Sequence, residues 1–146
     1  MNICLLIHLA ATLFMTGLIW FVQIVHYPLF SSVGHDHFTE YENRHRIRTT
    51  WVVAPMMLTE VTTAVLLLYN MKTTGTELVW SGIVLLFVIW LCTAGLSVPA
   101  HGKLAQEFSV TVHKRLVVTN WIRTIAWSIR AGVALAMVYQ ALPSVS

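Results

Sequence analysis

Four apolar runs, each about as long as a bilayer is thick, take up most of this 146-residue chain. A hydrocarbon core of about 30 Å needs roughly 20 helical residues per crossing. Within that medium the backbone must satisfy its own hydrogen bonds, which restricts a spanning chain to helices or a closed barrel. Runs of this length predict helices. Composition agrees: 57% of residues are hydrophobic and 10% are charged, against about 25% charged in soluble domains. The expected fold is all-α, a four-transmembrane-helix bundle making a single integral membrane domain over residues 1–146.

The spans are expected at about 3–25, 47–69, 77–98 and 116–141. His26-Tyr27-Pro28 closes the first, and Ser31, Ser32 and Gly34 mark the turn that follows. In the polar stretch before the second span, Phe38, Tyr41, His45 and Arg48 recur at helical spacing, which predicts an early, interfacial start to that helix. Pro55 predicts a kink, Gly75 a loop and Pro99 the end of the third helix. No basic segment or small-residue cleavage site accompanies the first run, so it reads as a retained helix and not a secretory leader. No internal repeat is apparent.

Basic residues set the orientation. Loops one and three carry Arg44, Arg46, Arg48, Lys103, Lys114 and Arg115, and the opposite side carries only Lys72. The positive-inside rule then puts both loops in the cytoplasm and both termini on the non-cytoplasmic side. The net charge of +3 is accounted for at membrane edges, so the expected partner is the lipid bilayer of a cell (inner) membrane and not nucleic acid. A homo-oligomer is compatible with so small a bundle.

Ionisable groups inside the runs point to a polar interior. Glu60 and Arg130 each lie about 14 residues, roughly 20 Å, from the cytoplasmic ends of their helices, so they are expected to pair across the bundle. Charges at that depth face protein or water, not lipid. Such a pair either fixes helix register or serves as a proton relay or substrate anchor. Asn120 and Arg123 extend the polar track toward the cytoplasmic mouth, joined by Gln23. Six of the seven histidines (His26, His35, His37, His45, His101 and His113) lie at or near that side. Imidazoles titrate near neutrality and ligate metals or haem iron. His26, His45 and His101 stand at helix ends and are the candidates, with His26 and His101 the pair for a haem or metal ion. His35, His37 and His113 read as solvated interfacial residues. H-x-x-H and H-E-x-x-H spacings are absent and no Glu-x-x-His helix pair is expected, so a metal site would draw its ligands from different helices.

Val98-Pro99-Ala100-His101-Gly102-Lys103-Leu104 and Asn120-Trp121-Ile122-Arg123-Thr124 resemble the Val-Pro-x-Asn-x-x-Leu and Trp-Asn-x-x-Arg-Thr segments of the anthrone-oxygenase-like family of small four-helix membrane proteins. The resemblance runs from about His26 to Arg130. It implies Pro99, Asn120, Arg123 and Thr124 as family positions and oxygenation of aromatic anthrones as the associated activity. The chain departs from the pattern with His101 in place of Asn and with Trp121 after, not before, Asn120.

The expected function is a membrane oxidoreductase or oxygenase acting on a lipid-soluble aromatic or quinone-like molecule. His26, His45 and His101 would transfer protons or ligate a cofactor, while Glu60 with Arg130 and Arg123 with Asn120 would orient the substrate. A small proton-coupled transporter using Glu60 and a haem-carrying anchor or assembly subunit are the alternatives.

Overall fold

The computed structural model describes residues 3–69 and 74–142, and over these the chain is helical with short turns and no strand. Helix α1 spans Ile3–Phe21, α2 His35–Leu68, α3 Thr76–Cys92, α4 Val98–Leu104 and α5 Val110–Gln140. A π-helical turn over Val22–His26 and a 3-10 turn over Pro28–Ser32 prolong α1, and a π-helical turn over Thr93–Ser97 joins α3 to α4. The result is four rods, each long and apolar enough to cross a membrane. Lys72 and most of the loop holding it lie outside the described residues.

Pro28 and Pro99, expected to close their helices, do not. Proline lacks an N–H and its ring collides with the carbonyl four residues back. In both rods a π turn precedes the proline, inserting one extra residue into the ladder. The Tyr27 N–H bonds to the Val22 carbonyl at 2.9 Å, and the Val98 N–H bonds to the Thr93 carbonyl. The widened turn displaces the carbonyl that the ring would strike, and the rods run on to Ser32 and Leu104.

The second rod starts early, as its polar helical spacing predicts, and the fourth starts at Val110, ahead of the expected residue 116. With 34 residues, α2 is about 51 Å long, well beyond the hydrocarbon thickness, and it passes through Pro55 without ending. Its polar first turns are helical because Phe38 and Glu42 are buried there against the bundle, with Tyr41 packed beside Phe38, while Glu40 and Arg44 face outward. The start of α5 is capped by the Ser109 hydroxyl, which accepts from the Val112 N–H at 3.5 Å.

Around the bundle α5 packs against α1 and α3, and α1 packs against α2, whereas α2 and α3 are the neighbours that meet most sparsely. Apolar layers fill the interior. Met15, Ile19, Met57, Ile89 and Trp127 form the middle, and Phe30, Phe38, Leu104 and Leu116 the end that carries loops one and three. Leu5, Leu67, Val79 and Met137 close the other end. Large apolar side chains such as Trp51, Phe87, Val118 and Ile125 point outward, as lipid-facing surfaces require.

Candidate functional site

Two polar centres lie inside the bundle, at different depths. At the deeper one, Glu60 Oε1 accepts from Arg130 Nε at 3.3 Å, from Arg130 Nη2 at 3.2 Å and from the Thr12 hydroxyl at 3.0 Å. Glu60 Oε2 accepts from the Trp127 indole N–H at 3.0 Å. Arg130 Nη1 donates to the Gly82 carbonyl, and Nη2 lies 3.4 Å from His8 Nε2. The other ring nitrogen of His8 is 2.7 Å from the Thr63 hydroxyl, which itself donates to the Thr59 carbonyl at 2.6 Å. These bonds fix the tautomer: Nδ1 carries the proton and Nε2 accepts from the guanidinium. Carboxylate, guanidinium and imidazole are all buried and fully engaged. The cavity beside them holds about 10 Å³, room for one water at most.

The second centre lies at the end of loops one and three. There α2 presents Glu42 and His45 one turn apart, and the π turn ahead of Pro99 carries α4 inward with His101. His101 Nδ1 is 2.5 Å from Glu42 Oε1, and its Nε2 is 2.8 Å from the Tyr27 hydroxyl. His45 Nδ1 is 3.0 Å from His26 Nε2 and 3.0 Å from the Thr49 hydroxyl. The His45 ring packs against those of His26 and His101, with centroids 4.6 and 5.4 Å away. Phe30 stands edge-on to the rings of His26, His45 and His101. Glu42 is wholly buried, and its Oε2 has no hydrogen-bond partner. An unmet buried acceptor costs about 1–3 kcal/mol, more when charged.

Between α2 and the α3–α4 rod opens a cleft of about 380 Å³. Tyr27, His45 and His101 line its polar head, and Val53, Met57, Leu58 and Trp90 line its apolar body. Arg123 enters from α5. Its Nη1 donates to the Ser97 hydroxyl at 3.0 Å and to the Asn120 side-chain oxygen at 3.2 Å. Asn120 in turn donates to the Gln23 side-chain oxygen at 2.9 Å. The guanidinium lies 5.3 Å from the centroid of the Trp127 ring, a cation–π contact. Among the described residues no carboxylate pairs with Arg123, and its Nε is buried without a partner. A separate groove of about 520 Å³, lined by His37, Glu40, Arg44 and Arg48, also reaches His45.

The structure therefore brings Glu60 to Arg130, Asn120 to Arg123, and His45 to both His26 and His101, but it divides these residues between two centres. Trp127 joins them, with its N–H on Glu60 and its ring under Arg123. Sequence reasoning misses three participants. His8 completes the deep network. His113, expected to be solvated, is buried with Nε2 2.7 Å from the Tyr27 carbonyl. Glu42 is the most consequential, and its signal is legible: Glu42-Asn43-Arg44-His45 is a Glu-x-x-His spacing that puts both side chains on one helix face. Its setting among charged residues makes it look solvated. His35 and His37 are exposed, as expected. Comparison of the chain with protein-family models, curated proteins and solved structures gives no match.

Proposed function

We propose that the cleft binds a lipid-soluble, weakly acidic molecule, a phenol or quinol, and that the protein is a membrane oxidoreductase working on it. The observation that carries this reading is Arg123: a buried cation with no carboxylate partner among the described residues, facing an apolar cleft whose head is a histidine cluster. Such a guanidinium is suited to an anionic oxygen. An apolar site with few convergent polar groups is the usual form of a small-molecule pocket.

The substrate enters sideways, between α2 and α3, and lays its rings along Met57, Leu58 and Trp90. Its hydroxyl meets Arg123, which favours the ionised form. The histidine cluster accepts the proton, as general-base chemistry at neutral pH requires, and the groove reaching His45 passes it to water. Oxidation of the anion completes the reaction, with an acceptor such as dioxygen or a quinone taking the electrons. The anthrone-oxygenase-like segments at Val98–Leu104 and Asn120–Thr124 reach the same cleft, through Val98, His101 and Arg123, and support this class. The basic residues around loops one and three support a cytoplasmic position for the cluster, in a cell membrane.

Titration of the detergent-purified protein with 1-naphthol, followed by tryptophan fluorescence, tests the reading. Saturable binding is expected, at least about tenfold weaker in Arg123→Gln and for the probe's methyl ether, since losing a hydrogen bond to a charged group costs about 1.5–3 kcal/mol. Equal affinity for the phenol and its ether would overturn it.

A further inference from the structure

We infer that Glu42, His45 and His101 form a binding site for one divalent transition-metal ion. One ligand atom from each of the three lies within 4.8 Å of the others, and the three come from two different rods. Two imidazoles and one carboxylate are the donor set of catalytic zinc sites and of the open-sided facial triads that hold non-haem iron(II). Both leave coordination positions for a further ligand, and here the open side faces the cleft that His45 and His101 line.

Glu42 Oε2 points the same way independently. A carboxylate oxygen sealed from water and left without a donor needs a positive partner, and no Lys or Arg forms an ion pair with Glu42 among the described residues. An ion between Glu42 and the histidines meets that need. The 2.5 Å between His101 Nδ1 and Glu42 Oε1 opens to about 3 Å when both ligate one ion with bonds of about 2.0–2.2 Å, a small outward movement.

The outer partners are also in place. Metal-bound histidines are held by a hydrogen bond on the far ring nitrogen, and His101 Nε2 rests on the Tyr27 hydroxyl at 2.8 Å. Tyr27 is itself buried and fixed through its carbonyl by His113. An ion needs a way in from water, which the groove lined by His37, Glu40 and Arg44 gives at His45. His26 lies outside the triad, bonded to His45, so the cluster keeps an imidazole to accept a proton. The inference stands apart from the phenol reading, since Arg123 is no ligand to the ion.

The test is a titration of the EDTA-stripped, detergent-purified full chain with Zn(II) alone, repeated anaerobically with Fe(II). One equivalent is expected to bind saturably. His45→Ala, His101→Ala and Glu42→Gln should each weaken binding by more than the roughly 10–100-fold that loss of an outer partner costs. Tyr27→Phe should weaken it about tenfold, and Arg123→Gln should keep the ion while losing naphthol. Should the ligand variants fail to fold, X-ray absorption of the Zn-loaded wild-type protein decides: scattering from two imidazoles supports the site, and scattering from none overturns it. Absence of saturable binding by the wild-type chain, or binding that survives all three substitutions, also overturns it.

Discussion

Glu60 and Arg130 are each almost inaccessible to solvent, so removing either strands the other. Loss of one member of a buried pair costs about 3–5 kcal/mol, and Arg130→Met is expected to lower stability by that much in a denaturant titration of the detergent-solubilised protein. The double variant Glu60→Met with Arg130→Met should be less damaged than either single one, though Trp127, Thr12 and His8 then lose partners worth about 1–3 kcal/mol each. Because the deep network is sealed and already satisfied, the double variant is also expected to bind Zn(II) as the wild type does. The pairing is legible in the sequence for a physical reason: a charge amid apolar residues must find its counterpart inside the bundle. Glu42 defeats the same logic. Its neighbours Glu40 and Arg44 are exposed and form an i,i+4 ion pair on the surface, and beyond its Glu-x-x-His spacing with His45 only tertiary packing of α2 distinguishes the acid between them. His113 is hidden likewise, since its burial depends on the extra turns at the start of α5.

At the scale of elements, the two π turns decide where the site falls. An α-helix turns about 100° per residue, so one inserted residue rotates everything beyond it relative to what precedes it. Past Thr93–Ser97, that rotation directs His101 toward Glu42. Pro99→Ala restores an N–H donor and removes the ring clash that favours the wide turn. It is expected to weaken Zn(II) binding at least about tenfold without lowering thermal stability, because alanine is the better helix former. A Zn(II) titration beside a melting curve checks both. From sequence Pro28 and Pro99 read as stops, because the signal shared by a helix end and an accommodated proline is the same residue. Four spans are legible from apolar length and the early start at His35 from helical spacing, while the prolongations to Ser32, Leu104 and Val110 appear only once packing is known.

The whole molecule follows one plan twice. Each hairpin begins with a rod in which a π turn precedes a proline, and each ends with a rod bearing one half of the deep ion pair. Trp20 and Trp90, Phe38 and Phe108, Trp51 and Trp121, Tyr69 and Tyr139, and Glu60 and Arg130 all recur at a spacing of about 70 residues, a correspondence that the uniform apolar composition masks. The hairpins close on each other through α1 and α5 and meet only sparsely between α2 and α3, and there the cleft opens toward lipid. A chain truncated before Val110 retains Glu60 but lacks Arg130, Trp127 and Arg123. It is expected to insert and then be degraded several-fold faster than the full chain in pulse-chase labelling. Equal lifetimes would mean that the first three rods are stable without the fourth.

The distance along the chain between Glu60 and Arg130 is also an interval of time. Synthesis proceeds at about 5–20 residues per second, so the carboxyl group leaves the ribosome roughly 4–14 s before the guanidinium that neutralises it. Through that interval the nascent second helix must remain with the insertion machinery, sit shallow in the membrane or carry its proton. Completion of the helix bearing Arg130 releases it, and the ion pair thereby marks a bundle whose fourth rod has been made.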